Sequence, residues 1–152
     1  MKPHLNFFSK GHIIIKVPEH ILLISLTTKD GLIKYLGSSD DVRKQIADAD
    51  CIVLPSYYPE GTPRVLLEAA AMGRPIITTN TKGCRNVVDD GLNGFLCAPK
   101  DSADLAKKIK KVFDLDHCSR MKMGKLGRKK IELEFDEEIV FRYYFKEISF
   151  VG

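Results

Sequence analysis

Short apolar runs, parted by polar and turn-forming residues, set the rhythm of this chain. Ile21-Leu22-Leu23-Ile24-Ser25-Leu26 and residues 32–36 read as short buried strands. Asp40 or Asp41 can cap a helix to about Ala49, with Val42 and Ile46 on one face. Cys51-Ile52-Val53-Leu54 is a strongly apolar strand that Pro55-Ser56 ends. The next helix is predicted to start at Thr62-Pro63 and run to Met72. Thr62 can cap it, and Pro63 fits its first position, where a missing N–H costs nothing. Gly73 suits the left-handed position past the helix, and Pro75 follows. Then come a strand over 75–79, a short helix from Gly83 to about Asp89, a turn at Asp90-Gly91 and a strand over Gly94-Phe95-Leu96-Cys97. Asp101 or Ser102 caps a helix from 103 to about 113, with Leu105, Ile109, Val112 and Phe113 as its apolar face. Residues 118–148 read as helical with a break near Phe135-Asp136.

Strands alternating with helices across short turns predict a parallel α/β sheet with helices on its faces. Ligands of such sheets bind outside the carboxyl ends of the strands. The stretch Glu60-Gly61-Thr62-Pro63-Arg64-Val65-Leu66-Leu67-Glu68 falls at that place, between the 51–54 strand and its helix. Gly61 lets a ligand approach the backbone closely, and the helix start offers free N–H groups and a positive dipole end. Glu60 stands before the helix and Glu68 lies roughly 9 Å along its axis, at 1.5 Å per residue. A diphosphate in the middle with a hydroxyl-rich sugar at each end, that is a nucleotide sugar, suits this layout. Two glutamates near a helix start are also an ordinary solvated surface, and only their surroundings separate the two readings.

Composition narrows the field. The 152 residues suffice for one domain with a real core, and 44% hydrophobic with 29% charged residues is usual for a soluble protein. No run of eighteen apolar residues occurs, and Lys10, His12, Lys16, Glu19 and His20 interrupt the apolar start too often for a signal peptide. Cys51, Cys84, Cys97 and Cys118 lack CxxC spacing and read as reduced thiols of a cytosolic protein, with no metal site. His4, His12, His20 and His117 form no ligand spacing. The net charge of +4 is uneven: residues 107–130 hold ten Lys/Arg against Asp114 and Asp116. Such a run is either a solvated helix face or a surface for a polyanion or an anionic membrane.

The order of motifs carries a resemblance. Tyr35-Leu36-Gly37, Asp41-Val42, Ala49-Asp50, the 51–56 strand, Glu60 through Glu68, Gly73-Arg74-Pro75-Ile76-Ile77, Gly83 and Asp90-Gly91-Leu92-Asn93-Gly94-Phe95-Leu96 follow one another. Over about residues 33–148 this array resembles the C-terminal, donor-binding domain of GT-B-fold retaining glycosyltransferases of family 4. The wording from Ser56 to Arg64 is most similar to bacterial members that build polyprenyl-linked oligosaccharides or surface polysaccharides. The implied fold is a Rossmann-like parallel sheet with flanking helices, one C-terminal half of a GT-B architecture with its N-terminal part shortened. Residues 1–30 would be a divergent or truncated start, and 31–152 the nucleotide-sugar-binding domain with its C-terminal helices.

The resemblance implies roles residue by residue. Glu60 is the catalytic candidate; with the N–H groups of Gly61 and Thr62 it would hold hydroxyls of the donor hexose. The N–H groups of Arg64 and Val65 would receive the diphosphate, Glu68 the ribose hydroxyls, and the loop at Ser38-Ser39 the nucleobase, with Ser39 as donor-binding residue. The implied reaction moves a hexosyl group from a nucleotide sugar, by resemblance a UDP-sugar, to an acceptor hydroxyl with retention, in cell-surface glycan synthesis. No cofactor and no metal are implied, because helix dipole and basic side chains serve the diphosphate. The implied partners are the nucleotide sugar and an N-terminal acceptor-binding domain, in the same gene or a separate chain. Nucleic acid is not among them. Peripheral contact at the inner face of the cell membrane, and self-association through the aromatics of 141–150, fit the same picture.

Three departures bear on activity. No N-terminal domain precedes the motifs, so the chain alone is expected to bind donor weakly and transfer little or nothing. The family's phosphate-binding Arg and Lys are reduced to a faint echo at Lys10-Gly11, and at least one β-α unit looks shortened or replaced. Asn86 stands where the family often has Glu, and Pro63 brings no N–H to the cradle. The alternative is a non-catalytic remnant, or a subunit of a split glycosyltransferase acting as a binding module. A nucleic-acid-binding domain using the 107–130 run is a third class, but that run has no interleaved aromatics.

Overall fold

The computed structural model describes residues 4–7, 13–16 and 33–35 at the level of the backbone, and residues 41–58 and 61–138 in full. In chain order these form β1 (His4–Phe7), β2 (Ile13–Lys16), β3 (Ile33–Tyr35), α1 (Arg43–Ala47), β4 (Cys51–Leu54), α2 (Arg64–Ala71), β5 (Ile76–Thr79), a 3-10 turn (Cys84–Asn86), β6 (Gly94–Cys97), α3 (Ser102–Asp114) and α4 (His117–Glu134). The described strands make one sheet in the order β3-β1-β2-β4-β5-β6.

The core of that sheet is parallel: Val53 pairs with Ile77, and Ile77 with Phe95. All four residues of β4 and of β5 are buried, as expected for strands covered on both faces. Alternation along each strand divides the core in two. Ile52, Leu54 and Ile76 pack with Leu66, Ala69 and Ala70 of α2 on one face, while Cys51, Val53, Ile77 and Phe95 pack with Ile109 and Val112 of α3 on the other. This is the parallel α/β arrangement that the alternation of elements predicts, and it is Rossmann-like as the resemblance implies.

The far half of the sheet departs from the simple parallel picture. β2 runs antiparallel to both β1 and β4, and β1 is parallel to β3. A doubly wound sheet of order 3-2-1-4-5-6 joins its first two strands by a helical crossover. Here the first two strands are an antiparallel pair, so β2 takes the seat beside β4 and points the opposite way. Neither β1 nor β2 is legible in the residues, because four-residue runs that carry Asn6 or end on Lys16 fall below any periodicity signal. The strand expected over 21–26 and the helix expected over 139–148 lie outside the described residues, as do the aromatics of 141–150.

Helix ends follow local chemistry, with some corrections. Asp101 caps α3 by accepting the Asp104 N–H at 2.9 Å, and Asp116 caps α4 by accepting the Ser119 N–H at 2.6 Å. Gly73 adopts φ +67 just past α2, as anticipated. Thr62 is not the α2 cap: Pro63 holds that position in extended conformation without a side-chain cap, and the helix starts at Arg64. The helix expected over 83–89 shrinks to one 3-10 turn. Asn93 explains why: its amide oxygen accepts the Asp89 N–H at 2.8 Å and its NH2 donates to the Val87 carbonyl at 2.9 Å, which turns the chain toward β6. Gly94 then lets β6 lie against β5, because a Cβ there would run into the Ile76 carbonyl oxygen. The long C-terminal helix breaks at Phe135, as predicted.

α4 binds the two faces together. Its Met123 joins the α3-side core, while Ile131 and Phe135 pack on the α2-side core. Small residues make the crossing close: Gly124 meets the backbone of Gly73, and Gly127 lies against Ala70 and Asn93. Lys130 reaches Asp89 at 2.6 Å from α4, and Lys108 reaches Asp90 at 3.7 Å from α3.

Candidate functional site

Leu54, Thr79 and Cys97 end the three parallel strands and define the carboxyl edge. Two threonines of β5 tie the exit of β4 to it: the Thr78 hydroxyl donates to the Leu54 carbonyl at 2.8 Å, and the Thr79 hydroxyl donates to the Ser56 carbonyl. Both side chains are buried, so these bonds are made away from water and fix where the following loop leaves the sheet. That loop carries Gly61 and Thr62 to the start of α2.

At α2 the geometry matches an anion seat. Pro63 contributes its carbonyl to the N–H groups of Leu66 and Leu67, at 3.0 and 3.4 Å. Among the described residues, the N–H groups of Arg64 and Val65 find no such acceptor. They are the free donors of the helix start, at the positive end of its dipole. Gly61 has open space where a Cβ would be, so a ligand can lie on this backbone. Thr62 is half-buried and, not being the cap, keeps its hydroxyl for another partner.

Glu68 is one turn further along, half-buried, and takes the Arg64 Nε at 2.8 Å. The Arg64 side chain is 90% exposed, so this pair is worth only about 0.3–0.5 kcal/mol. It holds the carboxylate beside the helix start and is weak enough to exchange for another hydrogen-bonding partner at little cost.

The structure thus brings Gly61, Thr62, Arg64, Val65 and Glu68 onto one loop–helix element at the carboxyl edge. Glu60 and Ser39 lie outside the described residues, as do Ser38 and Lys10. Phe7 and Ile13, which are register partners, stand level with Val53 near the same edge.

Other groups reach this edge from loops that sequence spacing does not join. Tyr57 and Tyr58 stack with ring centroids 4.5 Å apart, the Tyr57 hydroxyl donating to that of Tyr58 at 3.2 Å. That neighbouring hydroxyl pushes the Tyr58 phenol above its ordinary range. Lys100, past β6, sets its ammonium 4.8 Å from the Tyr57 ring centre and has a left-handed backbone (φ 60). Lys82 and Arg85, exposed in the segment after β5, add positive charge. Asp90-Gly91 and Asn93 are elsewhere: they build the turn that enters β6, at the amino-terminal end of the strands. Among the described residues no group of three or more His, Cys, Asp or Glu could hold a metal ion.

A Rossmann-like half-sheet that carries a helix start and a flanking carboxylate at its carboxyl edge is an arrangement built for a nucleotide-type ligand. Comparison with known proteins gives the class. The family described as "Glycosyl transferases group 1" matches residues 21–130, and the chain belongs to it. It is 32% identical over 116 residues to an N,N'-diacetylbacillosaminyl-diphospho-undecaprenol alpha-1,3-N-acetylgalactosaminyltransferase of Campylobacter jejuni, covering 76% of this chain and 30% of that protein. It is 39% identical over 92 residues to a glycogen synthase of Mycobacterium tuberculosis, covering 60% and 22%. Among solved structures, Anabaena Alr3699/HepE in complex with UDP superposes with a TM-score of 0.72 at 26% identity, over 79% of this chain and 33% of that one. The chain spans less than a third of the length of these two curated relatives.

Proposed function

We propose that this chain is the donor-binding domain of a retaining glycosyltransferase that takes a hexosyl group from a UDP-sugar. The carrying observation is the pair of N–H groups at Arg64 and Val65 that find no acceptor among the described residues, flanked by Gly61 and the Glu68 carboxylate at the carboxyl edge. In this reading the diphosphate lies on the α2 start, where dipole and N–H groups stabilise the charge that grows as the glycosidic bond breaks. Glu68 accepts the ribose hydroxyls, displacing Arg64 toward the phosphates. Glu60, with the backbone at Gly61 and Thr62, holds the hexose, and Ser39 lies by the base. Neither a metal nor a cofactor has a part. In this reading residues 31–152 are the nucleotide-sugar-binding domain with its C-terminal helices, and residues 1–30 are its divergent start. An N-terminal acceptor domain, in the same gene or a separate chain, completes the enzyme, and the chain alone binds donor without transferring it. The relatives named for undecaprenol-linked and colanic acid chemistry support an acceptor in cell-surface glycan synthesis, with the protein placed at the inner face of a membrane.

Titration of the chain with UDP, GDP and their sugar conjugates tests this. UDP and UDP-sugars should bind, and Glu68→Ala should weaken them about ten- to a hundredfold through lost charge-assisted hydrogen bonds. No nucleotide binding at millimolar concentration, or unchanged affinity in Glu68→Ala, would refute the assignment. Binding that persists without transfer, even when the acceptor domain is supplied, would favour the remnant or binding-module reading.

A further inference from the structure

The basic residues of 107–130 have different fates in the fold. Lys110 and Arg128 pair with Asp114 and Glu132 one turn along, Lys108 and Lys130 are committed to Asp90 and Asp89, and Arg120 is buried with its guanidinium on the Leu115 carbonyl. Lys122, Lys125 and Lys129 of α4 are exposed and make no ion pair among the described residues. Between them stand large apolar side chains that are also exposed: Met121 at 47%, Leu126 at 41% and Leu133 at 64%.

Helical geometry gathers these six. At 3.6 residues per turn, Lys122 and Lys129 form one row and Leu126 and Leu133 form the next, both seven residues apart. Lys125 and Met121 lie beside them, and the buried Met123, Gly124 and Gly127 take the opposite side. Single exposed leucines are commonplace. Here rows of lysine and leucine run side by side on the outer face of an eighteen-residue helix. They present positive charge and apolar surface to one plane, which is what the headgroup boundary of an anionic bilayer offers in return.

We infer that the outer face of α4 docks on an anionic lipid bilayer. Nucleic acid fits it less well, because none of the six residues is aromatic and no base could stack there. A second copy meeting the same face would set lysine against lysine. Glu132, at the margin, is neutralised by Arg128, and the exposed acids Asp136, Glu137 and Glu138 mark where the face ends. Gly124 and Gly127 press α4 against Gly73 and Asn93, at the amino-terminal ends of β5 and β6. A bilayer on this face therefore leaves the carboxyl edge open, and the inference stands independently of donor binding.

Flotation of the 152-residue chain with vesicles tests it. Equimolar phosphatidylcholine and phosphatidylglycerol should carry the chain, less so at high salt, and phosphatidylcholine alone should not. Lys122→Gln/Lys125→Gln/Lys129→Gln should lower the partition coefficient about a hundredfold, at about fivefold per lysine. Leu126→Gln/Leu133→Gln should lower it about tenfold at unchanged charge. A fluorophore on Cys118, which lies on the same side of α4, should shift to the blue when vesicles are added. Failure to float with the mixed vesicles, or undiminished flotation in either variant, overturns the inference. So does equally tight binding of an RNA oligonucleotide that ignores the leucine pair. UDP titration of both variants should match the parent, so a chain that floats but binds no nucleotide loses the donor reading and keeps this one.

Discussion

Replacing Gly124 by alanine pits two known effects against each other. Alanine is the better helix former by about 1 kcal/mol, so at a free position it would stabilise α4. Position 124 is not free. A Cβ would run into the carbonyl oxygen of Gly73 and lie 2.6 Å from its carbonyl carbon, where ordinary contact begins at 3.4 Å. The turn after α2 would have to retreat by more than the 0.8 Å that the carbonyl carbon alone requires, because the oxygen is nearer still. It is held by the N–H groups of Gly73 and Arg74, which donate to Ala70 and Ala69 at 2.9 Å each. Because the opposing atoms are backbone, the cost belongs at the upper end of the usual 1–3 kcal/mol for overpacking. After the propensity gain the net loss is about 2 kcal/mol. For a chain of this size that lowers Tm by roughly 4–8 °C. Gly127→Ala is the internal control: its Cβ would sit 3.6 Å from Asn93 and 3.8 Å from Ala70, both comfortable. It should raise Tm by about 2–4 °C. Thermal melts followed by circular dichroism read both variants. A Gly124→Ala protein that melts at or above the parent temperature would show that α2 and α4 do not cross as closely as described.

Three further expectations can be checked on the same material. Cys51, Cys84 and Cys97 are buried, and burial pushes the Cys51 and Cys97 thiols up, so a thiol reagent at pH 8 should titrate Cys118 alone until denaturant is added; more than one reactive thiol in the native state would contradict this. Asn93→Ala leaves the Asp89 N–H and the Val87 carbonyl without their partner and should cost about 2–4 kcal/mol in urea denaturation, with an unchanged midpoint as the disproof. The Ser119 N–H holds the Asp116 carboxyl below its ordinary range, so its contribution is present above the unfolded value near 3.9 and is lost as pH falls through the lower folded value. Asp116→Asn, which still caps, should therefore flatten the fall of the urea midpoint below about pH 4 while changing little at pH 7; an unaltered acid limb would count against the cap.

What could be read from the residues was what neighbours in sequence decide. The strands Cys51–Leu54 and Gly94–Cys97 appear residue for residue, because each is a dense apolar run closed by turn formers. Gly73 and Asp101 announced a helix end and a helix start through chemistry confined to one turn. The described part of the candidate site was legible for the same reason, since Gly61 to Glu68 is a single contiguous element. The remainder needed the third dimension. That Pro63 and not Thr62 precedes the first helical residue depends on where the β4 exit is pinned by Thr79. Tyr57 and Lys100 meet only because β4 and β6 end on one edge. Nothing in a helical Gly124 says that it faces Gly73, and nothing in Ile13-Ile14-Ile15 says that the strand runs backwards.

That reversed strand governs how the molecule comes apart. β4, α2, β5 and β6 are sequential neighbours whose pairings close over short stretches, so they can open and close as one block. β1 and β2 are a second local unit. The two blocks share a seam of three register pairs, Ile13 with Val53, Ile14 with Ile52 and Ile15 with Cys51, which only chain segments far apart in sequence can make. The seam lies beside the loop that feeds α2. Slow exchange of amide hydrogens will thus gather in β4, β5 and β6, and the first opening will run along β2, at the flank of the α2 start.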